Sequence, residues 1–185
     1  MNEILKEVNM DDVQKFYRDG IELEKGVELN EERIEKNAEL YKKYCNFFTA
    51  YPDKFIDLIT PTDSNFELFF YQRIFLRACL RYRYHYCVAP RAFSKTFISI
   101  LAIILKCIFQ PGSKCFICAP KKEQGAKVAK EKVEEILDLF PLLRKELVKD
   151  NYISGSDYLR LAFRNGSVFD VVAALDSTRG GRRHF

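Results

Sequence analysis

The sequence predicts an α/β fold: a partial parallel sheet flanked by helices, with a helical N-terminal lobe and a β-hairpin near the C-terminus. Two observations predict it. Tyr86–Val88, a short turn and the apolar run Phe97–Leu105 read as strand, loop and helix. Lys114–Ala119 and then residues 122–139 repeat the order, and strand–helix–strand–helix marks a βαβ unit. The hairpin is read from Asn165-Gly166 between two alternating apolar segments, Tyr158–Phe163 and Val168–Ala173.

The elements follow in order. Residues 2–18 and 31–48 have helical spacing, and Asn30 with Glu31 and Glu32 suits the second helix's start. Ile34, Ala38, Tyr41, Cys45 and Phe48 form its expected buried stripe. Tyr51-Pro52 closes it, and Pro61 closes a short third helix. Residues 1–62 are therefore taken as an acidic helical lobe, and residues 63–185 as the α/β domain. A longer helix over 65–83 puts Phe66, Phe69, Phe70, Ile74, Leu76 and Leu80 on a broad apolar face. Arg73, Arg77 and Arg81, four apart, read as a solvated stripe on its other side. Lys114–Ala119 is apolar almost throughout, as in a strand buried on both faces. Val128, Val133, Ile136 and Leu137 point the helix over 122–139 inward.

Composition narrows the classes. With 185 residues, 48% hydrophobic and 30% charged, the chain can bury a core and does not read as disordered. Residues 1–70 carry 9 basic against 16 acidic residues, and residues 71–185 carry 21 against 10. The C-terminal part is thus the part that could attract a polyanion, the alternative being solvated helix faces. The six cysteines lie among apolar residues; Cys115 and Cys118 point to opposite faces of one strand, so no zinc site is expected and a reducing compartment is. The apolar run Phe97–Leu105 is nine residues, too short for a membrane span, and Met1–Asp19 is no signal peptide.

Chemistry concentrates at Arg91-Ala92-Phe93-Ser94-Lys95-Thr96. Lys-Thr at a loop that opens a helix is the setting in which nucleotide phosphates bind. Backbone N–H groups and the helix's positive end face the anion, the Lys ammonium reaches the β- and γ-phosphates, and the Thr hydroxyl ligates Mg²⁺. The general phosphate-loop pattern expects glycine where Ala89 and Ser94 stand. Ser94 costs little if its φ stays negative, and roughly 1–2 kcal/mol if it does not. The structural alternative is a turn between a buried strand and helix that happens to contain Lys-Thr.

The order of features resembles the N-terminal ATPase part of the large terminase subunit of tailed bacteriophages, an ASCE-type P-loop NTPase that packages DNA. Arg91 to Thr96 is similar to that family's variant Walker A, which starts on Arg and often lacks the first glycine. Tyr71-Gln72, 23 residues before Lys95, is similar to its adenine-contacting glutamine motif. Cys118-Ala119-Pro120 with Glu123-Gln124, and the hairpin followed by Asp176-Ser177-Thr178-Arg179-Gly180, resemble two further blocks.

The resemblance covers roughly residues 65–185 and implies ATP and Mg²⁺ as ligands. Gln72, Ala92, Phe93, Ser94, Lys95 and Thr96 would bind nucleotide, Thr96 would hold the metal, and Arg91 and Lys95 would stabilise charge during attack of water on the γ-phosphate. It implies double-stranded DNA, a portal and a small terminase subunit as partners, a ring of copies, no membrane, and the host cytoplasm. Arg179, Arg182 and Arg183 become candidate DNA-phosphate contacts or simply an exposed end. The family's Asp-Glu strand is expected just beyond Phe185, so the chain reads as a fragment, inactive in isolation. Of its late carboxylates, Asp170 is expected to face solvent and Asp176 lies in the block above. A helicase-like P-loop translocase or a non-catalytic nucleotide-binding or interaction module are the other readings.

Overall fold

A computed structural model describes residues 31–119, 122–148, 153–154 and 159–173. The fold is mixed α/β. Five α-helices are described: α1 Glu31–Ala50, α2 Pro52–Ile59, α3 Phe70–Arg81, α4 Lys95–Phe109 and α5 Lys122–Leu139. A 3₁₀ turn over Pro141–Glu146 follows. Four strands, β1 Lys114–Ala119, β2 Ile153–Ser154, β3 Leu159–Ala162 and β4 Val168–Ala173, form one sheet in the order β1-β4-β3-β2. The chain divides into two compact units between Phe47 and Phe48, so the boundary expected at residue 62 falls inside the second unit. The N-terminal helix expected over 2–18 lies outside the described residues.

Helix α4 is the axis of the second unit. Its residues Ile98, Ile100, Leu101, Ile104 and Leu105 are almost fully enclosed, as an all-round apolar helix must be. The sheet presents one face to this layer. Cys115, Leu159, Leu161, Phe169 and Val171 are buried, and the alternation of period two sends Lys114, Arg160 and Asp170 the other way. Helix α5 closes the same core with Val133, Ile136 and Leu137. It approaches β1 so closely that a Cβ on Gly125 would stand 2.6 Å from that of Ala119, which is why glycine sits in its first turn.

The hairpin forms where the Asn-Gly signal places it. β3 and β4 run antiparallel with Ala162 opposite Val168, and Gly166 takes φ 81°. The turn also anchors α4. Asn165 Nδ2 donates to the Cys107 and Ile108 carbonyls at 2.7 and 3.0 Å, supplying acceptors of the last turn with a donor. Ser167 Oγ donates to Gln110 O and accepts from Ser113 N, both at 3.1 Å.

Several expectations are corrected. The sheet is mixed: only β1–β4 is parallel, while β4–β3 and β3–β2 are antiparallel. Tyr86–Val88 is not a strand; Tyr86 is 92% and Val88 81% exposed. A strand needs a neighbour to take its N–H and C=O groups, and no described strand pairs with this segment. The helix expected from residue 65 begins at Phe70, and Phe69, Phe70 and Ile74 are exposed. Ala38 and Tyr41 of α1 and Val128 of α5 are also exposed rather than inward.

Of the arginine stripe only Arg81 is exposed as expected; Arg73 and Arg77 are half-buried in ion pairs. Arg77 makes a two-pronged pair with Asp53, Nε to Oδ1 at 2.6 Å and Nη2 to Oδ2 at 2.7 Å. Arg73 bonds Asp57 at 2.7 Å and lies 3.5 Å from Asp53. Arg81 reaches Ala50 O at 3.5 Å. Arg73 and Arg77 weld α3 to α2, and the Arg77 guanidinium also lies 5.2 Å from the Tyr51 ring centre.

Candidate functional site

The loop Ala89–Ser94 enters α4 through two left-handed residues that are not glycine, Ala92 at φ 63° and Ser94 at φ 53°. Each carries a Cβ where L-residues resist it, at a cost of about 1 kcal/mol or more. Backbone strain of this kind, held by surrounding structure, gathers at ligand clamps and switches. Ser94 occupies the N-cap position, yet its hydroxyl makes no cap bond. The α4 first turn also has no acidic side chain, so its positive end is left uncompensated.

Lys95 is the first residue of α4, and its amine curls back to donate to Pro90 O at 3.1 Å and Ala89 O at 3.5 Å. In that pose the ammonium lies across its own loop on carbonyl oxygens, which an incoming anion can outcompete. Lys95, Thr96, Ser94, Phe93 and Ala92 line one cavity of about 330 Å³. The same cavity is lined by Gln72, brought from α3. Three loop residues, the first two residues of α4 and the glutamine are thus brought together.

Gln72 has a structural task as well. Its Oε1 accepts from Phe69 N at 2.9 Å, closing the first turn of α3, and only 6% of the residue is exposed. An amide oxygen carries two lone pairs and the NH₂ two donors, so this bond leaves capacity for a base edge. Beside it, Tyr71 and Phe93 pack with ring centres 4.2 Å apart, tying the loop to α3.

Arg91 is exposed and is not among the residues that line the cavity. Asp170 is not the open carboxylate expected. Its Oδ1 is enclosed without a hydrogen bond, 3.9 Å from Arg160 Nε, on a strand that does not reach the cavity. Asp176, Arg179, Arg182 and Arg183 lie outside the described residues. Among the described residues no three metal-ligating side chains gather, and no helix is long and apolar enough to cross a membrane. None of the six cysteines, all of them among the described residues, forms a disulfide; burial pushes the Cys79 thiol up to about 12, which makes it unreactive despite His85 Nε2 at 3.5 Å.

Two residues of the cavity wall carry no sequence signal, Lys132 and Glu135 of α5. They stand on the polar face of an amphipathic helix, and only the packing of α5 beside α4 turns them to the loop. No known family model matches the chain, and no curated protein matches it significantly.

Proposed function

We propose that the cavity at the start of α4 binds the triphosphate of ATP with Mg²⁺, and that the chain is the ATP-binding part of a DNA-packaging motor of the large-terminase type. The observation that carries the nucleotide reading is the loop: two strained non-glycine residues, an uncapped helix start and a lysine folded over the loop, all on one cavity. Two such residues so close together are uncommon in a turn that merely joins two elements, and this favours a ligand site. The motor assignment rests on the resemblance, whose Arg-led loop and upstream glutamine are Arg91–Thr96 and Gln72.

Each residue then has a defined part. Lys95 exchanges two carbonyl oxygens for phosphate oxygens, and the N–H groups of the first turn of α4 add their dipoles. Thr96 offers a hydroxyl to the Mg²⁺ ion, whose other ligands would be phosphate oxygens and water. Gln72 holds the adenine edge. Arg91 stabilises charge on the γ-phosphate, which requires its exposed side chain to turn inward. Bound MgATP supplies a reactive phosphoanhydride; coupling its hydrolysis to movement of double-stranded DNA completes the reading, with a portal, a small subunit and sister copies in a ring as partners.

Calorimetry of the full chain with MgATP tests the nucleotide site. Binding is expected to weaken about 10–100-fold in Lys95→Ala, the value of a hydrogen bond to a charged group. Equal affinity in wild type and Lys95→Ala would remove this site from consideration.

A further inference from the structure

We infer that Glu135 of α5 reads the ribose hydroxyls of the bound nucleotide and makes the site selective for ribonucleotides; the inference rests on the nucleotide reading given above. Glu135 lines the same cavity as Lys95, Thr96 and Gln72, 40 positions from Lys95 in sequence. It is held there by Lys132, whose Nζ lies 2.5 Å from Glu135 Oε2.

The cavity contains three kinds of wall, and a nucleoside triphosphate has three kinds of part. Loop amides, Lys95 and Thr96 answer the phosphates. The rings of Phe66, Phe93 and Phe97 together with the Gln72 amide answer the base. What remains is a carboxylate. An ionised carboxylate accepts hydrogen bonds only, so it repels phosphate and needs donors from the ligand. The vicinal hydroxyls of ribose supply two. The Lys132 pair occupies Oε2 and leaves Oε1 to accept, while its positive charge cancels most of the field that the triphosphate would otherwise meet. A lone glutamate at this place would weaken nucleotide binding; a glutamate already paired costs little and adds a directional contact.

The bland reading is an i,i+3 surface ion pair, part-exposed on both sides and worth little to stability. The two readings separate in one experiment. MgATP, 2′-deoxy-ATP and 3′-deoxy-ATP are titrated by calorimetry into the full-length wild type, Glu135→Ala and Glu135→Gln. Wild type is expected to bind at least one deoxy analogue about tenfold more weakly than ATP, as the loss of one charge-assisted hydrogen bond requires. Glu135→Ala should bring that ratio close to one while the deoxy analogue's own affinity stays within about twofold; Glu135→Gln, which keeps an acceptor oxygen, should fall between. Lys95→Ala should weaken all three ligands alike. If wild type binds ATP in a Lys95-dependent manner and discriminates no deoxy analogue, or discriminates equally after Glu135→Ala, the ribose role is wrong and the phosphate site stands. If wild type binds no nucleotide, both fall.

Discussion

Ser94 shows how a single dihedral stores strain at the entrance to α4. At φ 53° it takes a conformation that glycine enters freely and serine does not. Ser94→Gly is therefore expected to stabilise the fold by up to about 1 kcal/mol, seen as a higher midpoint in denaturant melts, with MgATP affinity retained. Loss of stability would mean that the hydroxyl, which makes no cap bond, has an unrecognised partner. The loop-to-helix step at Lys95 was legible in the sequence because Lys95, Thr96 and the apolar run of α4 are neighbours along the chain. The left-handed turn at Ala92 was not, since nothing about an alanine announces positive φ. Lys132 and Glu135 were equally hidden, because a salt-bridged pair on a helix has the same pattern whether it faces water or a cavity.

At the scale of elements, turn chemistry was read well, while buried faces and partnerships were read only in part. Helix α5 and the strands β1 and β4 stand where periodicity put them, as does the hairpin turn. The strand expected at Tyr86–Val88 failed because β-propensity describes a side chain's liking for a pleated surface and says nothing about whether a neighbouring strand is there. The expectation for Arg77 of α3 failed for a related reason: Asp53, the carboxylate that claims it, lies 24 residues away. The turn residue Asn165 also does more than turn the chain. Asn165→Ala is expected to lower stability by about 1–2 kcal/mol, because two carbonyls at the end of α4 lose their donor. Asn165→Asp should cost at least as much, since it places a carboxylate against those carbonyls. Equilibrium unfolding in urea measures both, and an unchanged midpoint for Asn165→Ala would show that the hairpin docks without this bond.

For the molecule as a whole, the α2–α3 network sets a pH dependence. Burial alone would raise the Asp53 carboxyl, but the Arg77 hydrogen bond and charge outweigh it and hold the group below its ordinary value of 3.8. A carboxylate lowered by folding contributes stability that is full above its unfolded value and is lost as pH falls through its folded one. Melting temperature is thus expected to be insensitive to this pair near neutral pH and to fall below about pH 4. Asp53→Asn should lower stability at pH 7 by about 2–3 kcal/mol, less than a fully enclosed pair because both arginines are partly exposed, and should flatten the acid limb of the curve. An unaltered acid limb would assign that limb to other carboxylates.

Helix α4 has one further consequence, mechanical rather than chemical. Its 15 residues make a rod of about 22 Å, gripped at one end by the side chain of Asn165 and tipped at the other by the loop that holds Lys95. A stiff strut jacketed by core has little freedom to bend, so a load applied at its tip is borne by its seat. The loop at its tip and the turn between β3 and β4 at its seat are therefore fixed to one rigid element, though 70 residues separate Lys95 from Asn165 in sequence.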